Sequence, residues 1–243
     1  MSNNSMENLK VKIARILCLP MLILICLVPA KTFAQADDKK DDELDQVLKN
    51  VAEAHKGYKD IRAKVRYTRT IEALDKKKVS NGSIEYIKPN WLHLKLDPPR
   101  DEEVVMDDQF VWVVSHNQKQ VEKYKKADGS AQNSEAAFIE FAYKGSTEEL
   151  KKRYNITLAE KDTKGKRPRY KLSLEPKAEK GNRFSHIELW LNSEHWLPDA
   201  MVLREAEGEI LHEYEFVEIE WNKGMDAKDL KFIVPRGYDV IEP

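Results

Sequence analysis

The sequence predicts a mainly β protein of the α+β kind, an antiparallel meander in one domain with a few helices laid against it. Three observations carry this. Apolar and polar residues alternate with a period of two in segment after segment. Most of the nine glycines stand between those segments. Except at Ser134–Tyr154, no helix-length stretch separates successive strands, as parallel pairing would require.

The elements follow in order. Lys10, Lys12 and Arg15 precede the apolar run "ILCLPMLILICLVPA" (16–30), and "KTFAQAD" comes next. That is the basic, apolar and small-residue order of a secretory leader, with an apolar run too short and too proline-broken to span a bilayer. Cleavage fits after Ala34 or Ala36, so residues 1–36 are expected to be a signal peptide and residues 37–243 a single exported domain. Both cysteines, Cys18 and Cys26, fall inside the leader, which leaves the domain without disulfides. Ile25 stands where a lipidation signal needs a small residue before its cysteine, so the product is expected to be soluble and not lipidated.

Residues 1–36 hold Lys10, Lys12, Arg15, Lys31 and Glu7, so without them the 41 basic and 42 acidic residues become 37 and 41, a net charge of −4. That balance argues against a nucleic-acid partner held through phosphates.

A helix is expected next, capped by Asp41 or Asp42, with Leu44, Val47, Leu48 and Val51 on one face and Gly57 as its stop. From there the period is two. Ile61, Ala63, Val65 and Tyr67 alternate with Arg62, Lys64, Arg66 and Thr68, the pattern of a half-buried strand. The same period marks strands in Ile84–Leu96, Phe110–Val114, Tyr170–Leu174, Ile187–Leu191, Ile210–Phe216 and Leu230–Val234. Two short amphipathic helices interrupt the meander. One is capped by Ser134, carries Ala137, Phe138, Phe141 and Ala142 on a stripe and stops at Gly145. The other is capped by Thr147, has Glu148 and Glu149 in its first turn and ends basic, as the helix dipole favours. The charged run Lys161–Lys171 reads as a solvated hairpin tip or, alternatively, as a patch for anionic headgroups.

Catalytic chemistry leaves no trace. The chain has no Gly-x-Ser-x-Gly elbow, no His-Glu-x-x-His, no phosphate-cradling glycine loop and no paired cysteines for a metal. His55, His93, His116, His186, His195 and His212 are scattered, and the carboxylates of Asp97–Glu103 and Met106–Gln109 coincide with turn residues. No enzyme, metal or cofactor is expected.

Apolar excess on strands stands out instead. Phe110, Trp112 and Val114 share one face while Val111 and Val113 fill the other. In "IEYIKPNWLHLKL" (84–96), Ile84, Tyr86, Leu92, Leu94 and Leu96 line one face with Lys88 in phase among them, while Ile87 and Trp91 lie opposite. A strand apolar on both faces is either sandwiched in a core or lines a cavity with its back covered.

The stretch "GSIEYIKPNWLHLKLDPPRDEEVVMDDQFVWVVSHNQKQVEKY" (82–124) resembles the signature of LolA-type outer-membrane lipoprotein carriers, in the LolA/LolB superfamily. "AAFIEFAYKGSTEELKKRYNI" (136–156) resembles the family's lid helices, "YKLSLEPKAEKGNRFSHIELWL" (170–191) its Leu-x-Pro-Lys hairpin, and "LKFIVPRGYDV" (230–240) its closing motif. The resemblance implies a half-open antiparallel β-barrel with a hydrophobic cavity covered by short α-helices. It implies a periplasmic carrier that takes acylated lipoproteins or lipids from an inner-membrane ABC transporter, with an outer-membrane receptor as a further partner, working as a monomer. Val65, Tyr67, Ile84, Tyr86, Leu92, Leu94, Leu96, Trp112, Phe138 and Phe141 are then expected to line the cavity, and Lys88, standing where the family has Arg, to latch the lid. The family's Asp-Gly turn is replaced by Asp107-Asp108. The alternatives are a periplasmic lipid-sensing or regulatory module, or a carrier of another lipid or glycolipid.

Overall fold

The computed structural model describes residues 34–126, 139, 143, 146–177 and 182–242, with side chains from residue 40 onward. The expected leader up to residue 33, and the stripe Ala137, Phe138, Phe141 and Ala142 with its caps Ser134 and Gly145, lie outside the described residues.

Helix α1 runs Ala34–Lys56. It begins several residues before the expected Asp41 or Asp42 cap, because "AQADDKKDD" combines good helix formers with carboxylates that suit a helix N-terminus. It ends at Gly57, and Val47, Leu48 and Val51 are buried as the spacing predicts. Eleven strands follow in the sheet's main body: β1 Asp60–Ile71, β2 Lys76–Ile87, β3 Trp91–Leu96, β4 Glu102–Met106, β5 Phe110–Ser115, β6 Gln120–Lys125, β7 Tyr154–Asp162, β8 Arg169–Pro176, β9 Phe184–Asn192, β10 Pro198–Glu205 and β11 Ile210–Trp221. Helix α2, Thr147–Arg153, precedes β7, and a three-residue strand β12, Asp239–Ile241, comes last. Ser146 rather than Thr147 occupies the N-cap of α2, while its acidic start and basic end are as expected. The charged run from Lys161 to Lys171 turns between β7 and β8 with exposed residues at its tip.

The strands form one sheet in the order β12-β6-β5-β4-β3-β2-β1-β11-β10-β9-β8-β7. It consists of two antiparallel meanders, β1–β6 and β7–β11, joined where β1 pairs with β11. The first and last strands in that order do not pair with each other, so the sheet stays open. Strand β12 departs from the antiparallel expectation, since it lies parallel to β6.

This topology dictates what covers each face. The connection from β6 to β7 must travel from one end of the sheet to the other, so it has to cross a face. Ile139 and Tyr143, both helical and fully buried, lie on the face on which α1 also packs. The connection from β11 in the middle to β12 beside β6 crosses the opposite face. Its single helical turn, Ala227–Leu230, sits near β3, and Phe232 packs on Trp112 at 5.2 Å between ring centroids. Leu230–Val234 is therefore not the strand its alternation suggested: Leu230 is buried as a cover and Ile233 is exposed.

Residues in direct register share a face. Ala63 pairs with Ile84, Ile84 with Leu94, Leu94 with Val104 and Val104 with Val113 on the inner face. The same face continues the other way through Tyr67, Tyr214, Met201, Leu189 and Leu172 to Leu158. The outer face of β1 and β11 is wet, with ion pairs such as Arg62–Glu220 at 2.6 Å and Lys64–Glu218 at 2.7 Å. Over β4–β6 the outer face is apolar as well, with Val105, Val114 and Val121 buried beneath the C-terminal segment. Strands greasy on both faces are thus strands covered on both faces.

Candidate functional site

Seven of the expected cavity residues come together. Val65, Tyr67, Ile84, Tyr86, Leu92, Leu94 and Leu96 all lie on the inner face, all buried in one apolar cluster. Facing them across the interior are Val47, Leu48 and Val51 of α1, with Ile139 and Tyr143. Phe138 and Phe141 lie outside the described residues. Trp112 does not belong with the rest. It pairs with Val105 and Lys123 on the outer face, where Phe110 and Phe232 flank it and the Lys123 ammonium sits 5.2 Å from its ring. The turn decides this: Asp107 Oδ1 accepts from the backbone N–H of Gln109 and of Phe110, both at 2.7 Å, so Val111 rather than Trp112 falls opposite Met106. A carboxylate that closes the turn through its own side chain also explains how Asp107-Asp108 serves in place of Asp-Gly.

Lys88, the cation in phase with this apolar face, follows the end of β2. Its backbone N–H donates to Lys59 O at 2.9 Å, and its ammonium donates to the backbone carbonyl of His55 in the last turn of α1. A cation at a helix C-terminus meets the negative end of the helix dipole and a carbonyl of the last turn, here one that also accepts from the Tyr58 N–H at 3.3 Å. Burial lowers the pKa of Lys88, but the stem packs inside while the charge finds a carbonyl.

His55 links two covers. Its side chain is 2% exposed, and its Nδ1 lies 3.1 Å from Tyr143 O, which makes Nδ1 the protonated nitrogen. Its ring meets Tyr58 edge-on at 5.6 Å. Burial, with the Lys88 charge adding, pushes its pKa down to about 4, so the ring is neutral. Tyr143 packs its ring on Phe216 at 5.4 Å and on Tyr86 at 6.5 Å. Its hydroxyl has no partner among the described residues, and full burial holds its pKa well above the usual value. Thus the end of β2, the last turn of α1 and the helical residue Tyr143 meet at Lys88 and His55. Sequence reading finds Lys88 but passes over His55 and Tyr143. The signals are there: His55 continues the Leu48–Val51 face one turn on, and Ile139 and Tyr143 are four apart.

A second polar cluster lies on the outer face. Glu103 accepts from His93 and Lys95 at 3.1 Å, with His116 Nε2 at 3.2 Å, and His116 Nδ1 is 2.9 Å from Tyr238 OH. The hydrogen bond from His93, with Lys95 adding, lowers the Glu103 pKa to about 2 against the cost of burial. This cluster fastens the C-terminal segment to the sheet. Among the described residues no group of three or more His, Cys, Asp or Glu is placed to hold a metal, and no helix is long and apolar enough to cross a membrane.

Several solved structures resemble this fold. An uncharacterized conserved protein from Thermus thermophilus matches with a TM-score of 0.54 at 13% identity, covering 83% of this chain and 99% of that one. A putative outer membrane lipoprotein-sorting protein domain from Vibrio parahaemolyticus matches at 0.44 and 13% identity, over 76% and 94%. MucB in the Pseudomonas aeruginosa MucA/MucB complex matches at 0.43 and 18% identity, over 77% and 60%. A search of the curated proteins finds no match. Residues 59–233, from the start of β1 to beyond the turn that covers β3, match the family described as outer membrane lipoprotein carrier protein LolA, and the chain belongs to that family.

Proposed function

We propose that the protein is a periplasmic carrier that shields the acyl chains of lipoproteins on their way from an inner-membrane ABC transporter to the outer membrane, without covalent chemistry. The observation that carries this reading is the single apolar face, continuous from Met106 and Leu92 through Tyr86 and Ile61 to Leu172, on a sheet that never closes and is covered by helices rather than by a second sheet. Each buried methylene is worth about 0.8 kcal/mol, so an acyl chain crosses water only under such cover. In the closed form Val47, Leu48, Val51, Ile139 and Tyr143 occupy the place an acyl chain would take. Loading then exchanges one apolar partner for another, which keeps net affinity modest and release feasible.

Lys88 is the latch of this exchange, because its ammonium ties the sheet to the carbonyl that ends α1. A hydrogen bond from a charged donor is worth about 1.5–3 kcal/mol, so Lys88→Leu is expected to speed uptake of a fluorescent acyl probe roughly tenfold or more, while the fold stays intact and its unfolding midpoint drops by only about 5 °C. An unchanged uptake rate would remove Lys88 from the mechanism. The reading as a whole is tested by native mass spectrometry of protein exported to a periplasm. Bound acylated ligand is expected, and a chain that carries none and takes up no acyl probe would refute it.

A further inference from the structure

Beyond Tyr67 the inner face changes character. Two residues further along β1 stands Arg69, in direct register with Lys78 on β2 and with His212 on β11. Two cations and an imidazole therefore lie in a row across three strands, and like charges directly opposed, as Arg69 and Lys78 are, weaken a sheet. His212 is accounted for: it is buried, with Nε2 3.0 Å from Glu205 and Nδ1 2.8 Å from Tyr67 OH. Arg69 and Lys78 are not. Among the described residues neither side chain has a hydrogen-bond or ion-pair partner, and Arg69 Nε is shut off from water. A buried donor left unpaired is costly, and the side chain that carries this one lines a pocket that a guest can enter.

Both cations line an open pocket of about 230 Å³ together with Arg100, Asp101 and Glu102. Arg100 is already committed: its guanidinium donates to Glu102 at 2.9 Å and to Tyr67 OH at 3.3 Å, and lies 5.4 Å from the Tyr67 ring centre. That pair cancels, which leaves Asp101 alone against Arg69 and Lys78 and the pocket with a surplus positive charge. Pockets that enclose drug-sized ligands run to roughly 300–1,000 Å³, so this one suits a headgroup-sized guest. Its wall is shared with the apolar interior, since the Tyr67 ring belongs to the buried cluster and its hydroxyl to the polar rim.

The geometry points to a binding site for a phosphate-class oxyanion, held by Arg69 and Lys78 at the end of the inner face away from Lys88. On the carrier reading, on which this last step rests, the site selects acyl ligands whose headgroup bears a phosphate. Arg69 offers a planar fork suited to two oxygens and Lys78 a mobile point charge.

Calorimetry on the full chain tests this with three probes: inorganic phosphate, a dihexanoyl phosphatidic acid and the matching neutral diacylglycerol. The parent is expected to bind the phosphatidic acid about tenfold or more tighter than the diacylglycerol, a factor typical of charge-assisted contacts. The double variant R69Q/K78Q should abolish that preference while leaving diacylglycerol affinity unchanged. Lys78 is exposed, so K78Q alone, which should lose part of the preference, keeps the test valid if the double variant melts early. Equal affinity for the two lipids in the parent overturns the inference and leaves the carrier reading standing. Phosphate binding that R69Q/K78Q removes, with neither lipid bound, supports the site as one for a free anion and overturns the carrier reading. No binding of phosphate or phosphatidic acid overturns the site itself.

Discussion

Replacing Gly82 with alanine should disrupt the sheet near its middle, lowering stability by more than about 3 kcal/mol and the unfolding midpoint by about 10 °C. Gly82 pairs with Val65 on one side and Leu96 on the other, where β2 approaches β3 closely. A Cβ at this position would stand 1.9 Å from Lys95 O, 2.9 Å from Lys95 C and 3.1 Å from Leu96 Cα. These are backbone atoms, so no side chain can swing aside, and β3 would have to move with its pairing to β4. The same approach sets the seam between Val65, Ile84 and Leu94, so the loss should appear in urea unfolding and in soluble yield together. A variant that melts with the parent would show that β2 and β3 do not approach this closely in solution.

Acid should loosen the cover before it denatures the sheet. His55 has its pKa lowered from 6.5 to about 4 by burial and by the charge on Lys88. A group whose folded pKa is depressed in this way is neutral in the native state and takes up its proton earlier in the unfolded one. Stability is therefore full above 6.5 and falls as pH drops toward 4, by about 3 kcal/mol across the window. The other groups around the ring do not offset this. Lys88 is positive, and Tyr58 and Tyr143 have pKa values raised by burial and stay neutral. Urea titrations at pH 7.5 and pH 4.5 should show the loss, and His55→Gln should reduce it, leaving the share of His195, whose pKa burial also lowers. Glu103 is separable, because a carboxyl held at about 2 sheds its contribution only below 4.5. If His55→Gln keeps the full slope between 6.5 and 4, the proton-linked group lies elsewhere.

The inner half of the sheet is legible because its outer half is wet. In β1 the polar partners Arg62, Lys64 and Arg66 face solvent, and alternation alone identifies Ile61, Ala63, Val65 and Tyr67 as buried. Strand β4 shows no such contrast: Val104, Val105 and Met106 are all buried, because both faces there are covered and a run of apolar residues carries no period. Strand β7 loses its rhythm at the bulge between Leu158 and Glu160, and β10 hides Met201 and Leu203 among Pro198, Asp199 and Arg204. Alternation puts Trp112 on the wrong face for a related reason. Phe110–Val114 is apolar on both sides, and only the turn at Asp107 fixes which side looks inward. Leu230–Val234 alternates as a strand does, yet Leu230 and Phe232 dock as a cover on strands that already have their neighbours.

A sheet that never closes keeps two flanks with unspent backbone donors and acceptors, the usual starting point for one molecule adding its strands to the next. Both flanks here are poor templates. At one end β12 is three residues long and exposed throughout, too short to seed a ladder. At the other, β7 is kinked by its bulge and ends in Glu160, Lys161 and Asp162, with Lys161 drawn across to Glu43 of α1. Short length, a kink and alternating charge each discourage fibrous stacking. The open sheet can therefore keep a wide apolar face beneath its helices while its rims offer little template for a second copy.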